Sequence, residues 1–299
     1  MLDYAALHAL AAVVREGSFE RAARTLHVTP SAVSQRLKAL EERLGIALVL
    51  RGTPCTATEA GRHLCRHAER VQLLEHELGA LLPAQPSVDA ERMTVRIAVN
   101  ADSLATWFVP AMAAFAGQTP VLLDVGVDDQ DHTAERLRSG DVLAAVTAMA
   151  KPVSGCNSSA LGSMRYVAAA SPAFVQAHFA DGVHARSLAR APSLVFDRKD
   201  RLQSRWMRRL CPRGVEAPRH WLPSPQAFAE AACAGMGWGM HPRSLIAQAL
   251  REGTLVELVP DTPMSVPLYW QQARGAPPLL KRLAEAVFQA ARSGPHALD

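Results

Sequence analysis

The sequence predicts a small, mainly helical N-terminal domain, a long helix and a larger two-lobed α/β domain. Apolar residues recur at helical spacing through the first 45 residues, and a heptad-like apolar seam runs from residue 64 to residue 81. From residue 92 onward, strand-like and helix-like segments alternate. At 299 residues, of which 49% are hydrophobic, the chain is long enough to bury more than one core.

Three amphipathic helices are predicted in the N-terminal segment. Gly17-Ser18 separates the first two as a turn and an N-cap, and only His27-Val28 separates the second from the third. This is the spacing of a helix-turn-helix, with the third helix as the DNA reader. The stripes with i, i+3, i+4, i+7 spacing are Leu7, Leu10, Ala11 and Val14 in the first helix, and Phe19, Ala22, Ala23 and Leu26 in the second.

The third helix, in "TPSAVSQRLKALEERLG", has clear start and stop signals. Thr29 suits the N-cap, Pro30 the first helical position and Gly45 a left-handed C-cap. Its apolar stripe is Val33, Leu37, Leu40 and Leu44. The opposite face has short hydrogen-bonding groups and one cation, which suit base edges and phosphates in a major groove; an ordinary solvated face is the alternative. These residues are Ser31, Ser34, Gln35 and Lys38.

A wing is predicted after Gly45. "ALVLRGTPCT" reads as two short strands around a Gly-Thr-Pro turn, which places Arg51 beside the reading helix. Residues 1–66 contain nine Lys and Arg against five Glu, a modest excess that suits phosphate contact. The candidate DNA-binding residues are therefore Thr29, Pro30, Ser31, Ser34, Gln35, Lys38 and Arg51.

A long linker helix is predicted next. Thr56 and Glu59 match a Thr-x-x-Glu capping box, which would start a helix running to about Leu82. Such an apolar seam on a charged helix favours pairing with the same helix of a second subunit, although packing on the chain's own second domain is the alternative. "PAQPSVDAE", residues 83–91, is predicted to be a hinge. The seam consists of Leu64, Val71 and Leu78, with Ala68, Leu74 and Leu81 beside them.

The remaining segments predict two α/β units. In the first, "MTVRIAVN", "VLLDVGV" and "VLAAVTA" are typical of strands, with helices from Ser103 and Thr133. The second contains "RYVAAA", "PSLVFD", a helix from Ser224, "GWGMHP" and "TLVELV". Alternation of this kind predicts a largely parallel sheet, in which ligands bind beyond the carboxyl ends of the strands.

That rule indicates candidate ligand-binding residues in four loops. Hydroxyls and amides in "NADSLATW" suit an α-carboxylate, although helix capping alone would also explain Ser103. Aspartates in "VDDQD" and "VFDRKD" suit an ammonium or guanidinium group, although each is also typical of a cap or a surface turn. The candidate effector-binding residues are Asn100, Ser103, Thr106, Asp128, Asp129, Asp197 and Ser224.

Residues 1–80 resemble the winged helix-turn-helix and linker helix of the LysR-type bacterial transcriptional regulators, in "FERAARTLHVTPSAVSQRLKALEERLG" and "ATEAG". "IAVNADSLATWFVPAM", "VDDQDHTAERLRSGDVLAAV" and "PLYW" are similar to the lysine- and arginine-responsive LysG/ArgP type of this family. The resemblance covers essentially the whole chain. It implies a DNA-binding domain at 1–57, a dimerisation helix at 58–82, a hinge at 83–91 and a periplasmic-binding-protein-like effector domain at 92–299.

The resemblance also implies partners. The expected protein binds double-stranded promoter DNA, responds to L-lysine or L-arginine, controls genes such as an amino-acid exporter, forms a dimer of dimers and contacts RNA polymerase. Two alternatives stay open. The arginine-rich "DRKDRLQSRWMRRLCPRG" in the second lobe allows a different effector, and an architectural DNA-binding protein without effector control fits the first domain.

Several classes of protein are disfavoured. The eleven histidines show no obvious metal-ligand set, and "GMGWGMHP" is not a nucleotide-binding glycine motif, so we expect no enzyme, no cofactor and no metal site. His63 and His67 stand four apart but flank the linker seam. Five cysteines without Cys-x-x-Cys spacing indicate free thiols. No secretory leader or membrane-length apolar run is present, so we expect a cytoplasmic protein without a membrane partner.

Overall fold

The computed structural model describes residues 2–81, 93–127, 130–275, 277–294 and 296–299. The predicted hinge at 83–91 and the candidate residues Asp128 and Asp129 lie outside the described residues.

The N-terminal domain contains three helices and a hairpin, as predicted. Asp3, Ser18 and Thr29 cap the three helices through their side chains, and Gly45 ends the third in a left-handed conformation. The helices share one buried core with the hairpin. Leu44, expected in the buried stripe, is 38% exposed because it is the last residue of the helix, where the chain leaves at Gly45. The elements are α1 (Tyr4–Glu16), α2 (Phe19–Thr25), α3 (Pro30–Leu44), β1 (Val49–Leu50) and β2 (Thr56–Ala57).

The linker helix α4 (Glu59–Leu81) begins differently from the prediction. Thr58, not Thr56, caps it: the Thr58 hydroxyl accepts a hydrogen bond from the amide of Gly61 at 3.1 Å. The capping box was wrong because Thr56 pairs with Leu50 in the wing and therefore belongs to a strand.

One face of α4 packs on both domains. Ala68 belongs to the N-terminal core and Leu73 to the core of the C-terminal domain. Two seam residues remain open, since Leu74 is 58% exposed and Leu78 is 55% exposed. Within a single chain, the seam is therefore only partly covered.

The C-terminal domain has two lobes connected by long strands. The first contains β3 (Thr94–Val99), α5 (Ala101–Ala105), α6 (Phe108–Ala116), β4 (Leu122–Val127), α7 (Gln130–Ser139) and β5 (Ala144–Thr147). Then follow β6 (Cys156–Ala170), α8 (Pro172–His178), α9 (Ala185–Leu188), β7 (Ser193–Val195), α10 (Leu202–Leu210), β8 (Arg219–Trp221), α11 (Pro225–Cys233), β9 (Gly239–Pro242), α12 (Ala247–Glu252), β10 (Val256–Glu257), β11 (Met264–Ala273) and α13 (Pro278–Arg292).

The main sheet is mixed. Its strand order is β10-β6-β11-β5-β3-β4, with β9 also paired to β6. β3 runs parallel to β4 and β5, as predicted for the first unit. The sheet is not largely parallel, because β11 returns antiparallel to both β5 and β6 and because β6 pairs antiparallel with β9 and β10.

β6 and β11 pass together from one lobe to the other. Their pairing register shifts between Leu268 and Tyr269, opposite Gly162. The last residue folds back onto this crossing, where Asp299 exchanges two backbone hydrogen bonds with Ser163. A side chain at Gly162 would approach Leu298 within 2.8 Å, so the C-terminus packs directly on the crossing. Among the described residues, no helix has both the length and the apolar character needed to cross a membrane.

Candidate functional site

The exposed face of α3 carries the residues predicted to read DNA. Thr29 and Pro30 form the helix start, where the Thr29 hydroxyl accepts from the amide of Ala32 at 3.2 Å. Ser31, Gln35 and Lys38 are exposed, and Ser34 is half-buried. Lys38 lies 3.6 Å from Glu42 in an exposed pair, which is worth about 0–1 kcal/mol and leaves the ammonium group available.

Arg51 lies on the wing, as predicted. Its guanidinium carbon is 5.5 Å from the centre of the Phe19 ring, so it contacts the start of α2. The side chain remains exposed. This cation–π contact orients Arg51 while leaving its donors open to solvent.

In the first lobe, the loop after β3 is organised around Asn100. Its side-chain oxygen accepts from the amide of Ser103 at 3.2 Å, so Asn100 is the N-cap and the helix begins at Ala101 rather than at Ser103. The Ser103 hydroxyl is buried and has no hydrogen-bond partner among the described residues. The Thr106 hydroxyl donates to the carbonyl of Asp102 at 2.6 Å, so it is occupied within the loop.

Asp102 is a buried carboxylate in this region, and its pKa is clearly above the usual value for aspartate. The Tyr166 hydroxyl donates to its carboxylate at 2.6 Å, which joins α5 to β6. Burial raises the pKa of Asp102 to about 6, the charge of Asp200 adds to this rise, and the hydrogen bond from Tyr166 opposes it. No cation in the described part of the chain lies within ion-pair distance of Asp102. Among the described residues, its negative charge therefore has a hydrogen bond from Tyr166 but no ion-pair partner.

The second lobe supplies Asp200, in the loop before α10. Its carboxylate accepts from the amides of Phe196 at 3.2 Å and Leu202 at 2.9 Å. The predicted site residue Asp197 accepts from the amides of Lys199 at 2.7 Å and Asp200 at 2.8 Å, so it shapes the loop that presents Asp200.

The two lobes meet beside this loop. α11 of the second lobe contacts α5 of the first, and Ser224 caps α11 by accepting from the amide of Ala227 at 3.4 Å. Asp102, Tyr166 and Asp200 thus come together at the junction, although sequence reasoning did not select them. Asp102 directly precedes Ser103, and Asp200 ends "VFDRKD", so both stood in loops that the prediction had selected.

Comparisons with known proteins cover the same two regions. Residues 4–62 match the family "Bacterial regulatory helix-turn-helix protein, lysR family", and residues 89–292 match the LysR substrate binding domain. The HTH-type transcriptional regulator LysG of Mycobacterium tuberculosis is 48% identical over 293 residues, covering 98% of this chain and 94% of that relative.

Two solved structures extend the likeness to the tertiary level. The crystal structure of ArgP from Mycobacterium tuberculosis has a TM-score of 0.85 and 46% sequence identity, and the match covers 100% of both chains. Full-length LysG from Corynebacterium glutamicum with bound effector Arg has a TM-score of 0.73 and 39% identity, covering 97% of this chain and 98% of that one.

Proposed function

Since this chain belongs to the LysR family of bacterial helix-turn-helix transcriptional regulators, we propose that its C-terminal domain senses a basic amino acid, L-lysine or L-arginine. The observation that carries this proposal is the buried carboxylate of Asp102 beside Asp200, which has no ion-pair partner among the described residues. Two nearby carboxylates that make no ion pair with another described residue favour a ligand that brings its own positive charge. The bound arginine in the similar LysG of Corynebacterium glutamicum supports the same class of ligand.

The effector would lie at the junction of the two lobes. Asp102 and Asp200 would receive its ammonium or guanidinium group. The Ser103 hydroxyl, which has no hydrogen-bond partner among the described residues, would donate to its carboxylate. Asn100, Thr106, Asp197 and Ser224 would hold the surrounding loops, since the structure gives each a hydrogen bond within its loop. Asp128 and Asp129 remain proposed site residues from the sequence alone.

The N-terminal domain would read the operator through Ser31, Ser34, Gln35 and Lys38 of α3, with Arg51 reaching a phosphate or the minor groove. The open seam residues Leu74 and Leu78 would bury against α4 of a second copy, which favours a homodimer and, through it, a dimer of dimers. We propose the same domain division, 1–57, 58–82, 83–91 and 92–299, in a cytoplasmic protein that contacts RNA polymerase.

Regulation then requires a difference in effector affinity between two arrangements of the oligomer, because a ligand that binds both arrangements equally shifts neither. Lysine or arginine binding between the lobes would change the relative stability of these arrangements. The operator affinity would change by the same coupling free energy.

Titration calorimetry of the full-length chain tests the effector class. We expect saturable heats with L-lysine or L-arginine, and no binding of norleucine, which has the same chain without the terminal amine, or of L-glutamate. Fluorescence anisotropy of promoter DNA with and without the effector measures the coupling. If the protein binds norleucine as tightly as lysine, or binds only an acidic metabolite, the result would contradict the assignment of a basic amino acid as effector. The family assignment would be unaffected.

A further inference from the structure

A cavity, here called the linker cavity, lies between α4 and the first lobe and shares no residue with the proposed effector site around Asp102. Its volume is about 210 Å³. One wall is a stripe of α4 at i, i+3, i+4 and i+7, and the opposite wall comes from the end of α7, the turn before β6 and the end of β11. The α4 residues are His63, Arg66, His67 and Arg70, and they face Arg138, Gly140 and Gly155.

The walls of the linker cavity are strongly basic. Arg66, Arg70 and Arg138 all line it, and no Asp or Glu is among the described residues that do so. Arg138 pairs with Glu135 of its own helix, whereas neither Arg66 nor Arg70 has a carboxylate within ion-pair distance in the described part of the chain. Positive charge is thus concentrated in a partly enclosed space, and among the described residues the nearest anion acting on Arg66 is Asp141, which does not line the cavity.

The position of Arg66 is set by the backbone opposite it. Gly140 has a φ of +73°, and a Cβ there would overlap Cδ of Arg66, so the arginine stem lies directly against the glycine backbone. Arg66 also hydrogen-bonds to Nδ1 of His63. Burial lowers the pKa of Arg66, Asp141 opposes this, and the charges of Arg70 and Arg62 add to the lowering. Asp141 offsets some of the repulsion among these cations, and an anion in the cavity would offset more of it.

We propose that the linker cavity binds a small oxyanion carrying two negative charges, inorganic phosphate or a phosphate monoester, between the linker helix and the effector domain. Guanidinium groups present paired donors that match the oxygens of such a group. Gly155 leaves room for a close approach, since a Cβ there would meet nothing within 4 Å. Because α1 packs on α4, an anion in this cavity also ties the DNA-binding domain to the first lobe. It would add a second input to the regulator, separate from the effector site.

Calorimetric titration of the full-length protein with sodium phosphate and with ribose 5-phosphate, at constant ionic strength set with chloride, tests the site. We expect saturable binding of at least one of them, and the tighter of the two identifies the free ion or the ester as the better ligand. Arg70→Ala and Arg138→Ala should each weaken that binding at least tenfold, because each removes one of the guanidinium groups. Arg208→Ala, which changes an exposed arginine of α10 outside the cavity, should leave it unchanged.

Circular dichroism verifies that the variants fold. If Arg70→Ala does not fold, Arg138→Ala carries the test, since the Arg138 side chain is 58% exposed. L-Lysine binding measured on the same samples should be unaffected by both substitutions, which separates this site from the proposed effector site. Absence of saturable phosphate binding, or equal affinity in the wild type and both cavity variants, would overturn the proposal.

Discussion

Replacing Asp102 with asparagine should have opposite effects on ligand-free stability and on effector binding. The substitution keeps the side-chain shape and an acceptor for the Tyr166 hydroxyl but removes the charge. In the ligand-free protein, burial raises the pKa of Asp102 from 3.8 to about 6. At about 1.4 kcal/mol per pKa unit, ionising this carboxylate in the folded state costs about 3 kcal/mol at neutral pH.

The sign of the pH dependence follows from the raised pKa. A carboxyl whose folded pKa exceeds its unfolded pKa favours folding below the unfolded value of about 4 and loses that contribution as pH rises through about 6. Asp102→Asn should remove this loss. Chemical denaturation followed by circular dichroism between pH 4 and pH 8 should therefore show the variant gaining about 3 kcal/mol relative to wild type across that range.

Effector binding should respond in the other direction. Removing one partner of a desolvated charged pair costs about 2–5 kcal/mol, so L-lysine affinity should fall between about 30-fold and several thousand-fold. Wild-type affinity should also rise about tenfold per pH unit below pH 6 and level off above it, whereas the variant should show no such titration. Asp181→Asn, which changes an exposed aspartate of the second lobe, is the control.

Two results would refute this reasoning. Lysine affinity of Asp102→Asn within twofold of wild type would mean that the carboxylate does not face the ligand cation. Alternatively, a variant that becomes less stable than wild type as pH rises from 4 to 8 would mean that the charge of Asp102 is compensated in the ligand-free protein.

Four further substitutions test the DNA-binding domain and the assembly. Gln35→Ala should cost about 1–3 kcal/mol of binding free energy on the specific operator only, whereas Lys38→Ala should weaken binding to all DNA and reduce the salt slope by about one. Gel shifts across a salt series, with specific and scrambled DNA, measure both effects. Equal binding by the wild type and both variants would remove α3 from the interface. Leu74→Asp places a charge on the open seam without disturbing the buried face of α4. Light scattering should therefore show monomers, and operator binding should fall. An unchanged oligomer would mean that the seam is not the dimer contact. Leu10→Ala removes a fully buried side chain from the N-terminal core and should destabilise that domain by about 2–5 kcal/mol in thermal unfolding; a loss below 1 kcal/mol would contradict the tight packing of α1.

The N-terminal domain was largely predictable because its signals are local. Asp3, Ser18 and Thr29 cap helices within three residues of themselves, and Gly45 stops α3 at the next position. Amphipathic stripes recur within one or two turns, so the order of helices and the wing follow from short windows of sequence. The incorrect prediction that Thr56 caps α4 also has a local cause. Thr56 pairs with Leu50 in the wing and therefore lies in a strand, although the sequence from Thr56 to Glu59 matches a helix-capping box.

The mixed sheet and the acidic junction depended on contacts between distant segments. Nothing within β11 indicates that it will run antiparallel to both β5 and β6, because its pairing partners lie between 98 residues (Met264 with Tyr166) and 128 residues (Gln272 with Ala144) earlier in the chain. Sequence position alone selected two of the loops that meet at the junction of the lobes, since strand ends meet at one edge of a sheet. Only the tertiary structure shows that Asp102 is the buried aspartate, with Tyr166 of β6 and Asp200 of the second lobe beside it. The sequence could not show this, because desolvation depends on what packs against a side chain and not on its neighbours in the chain.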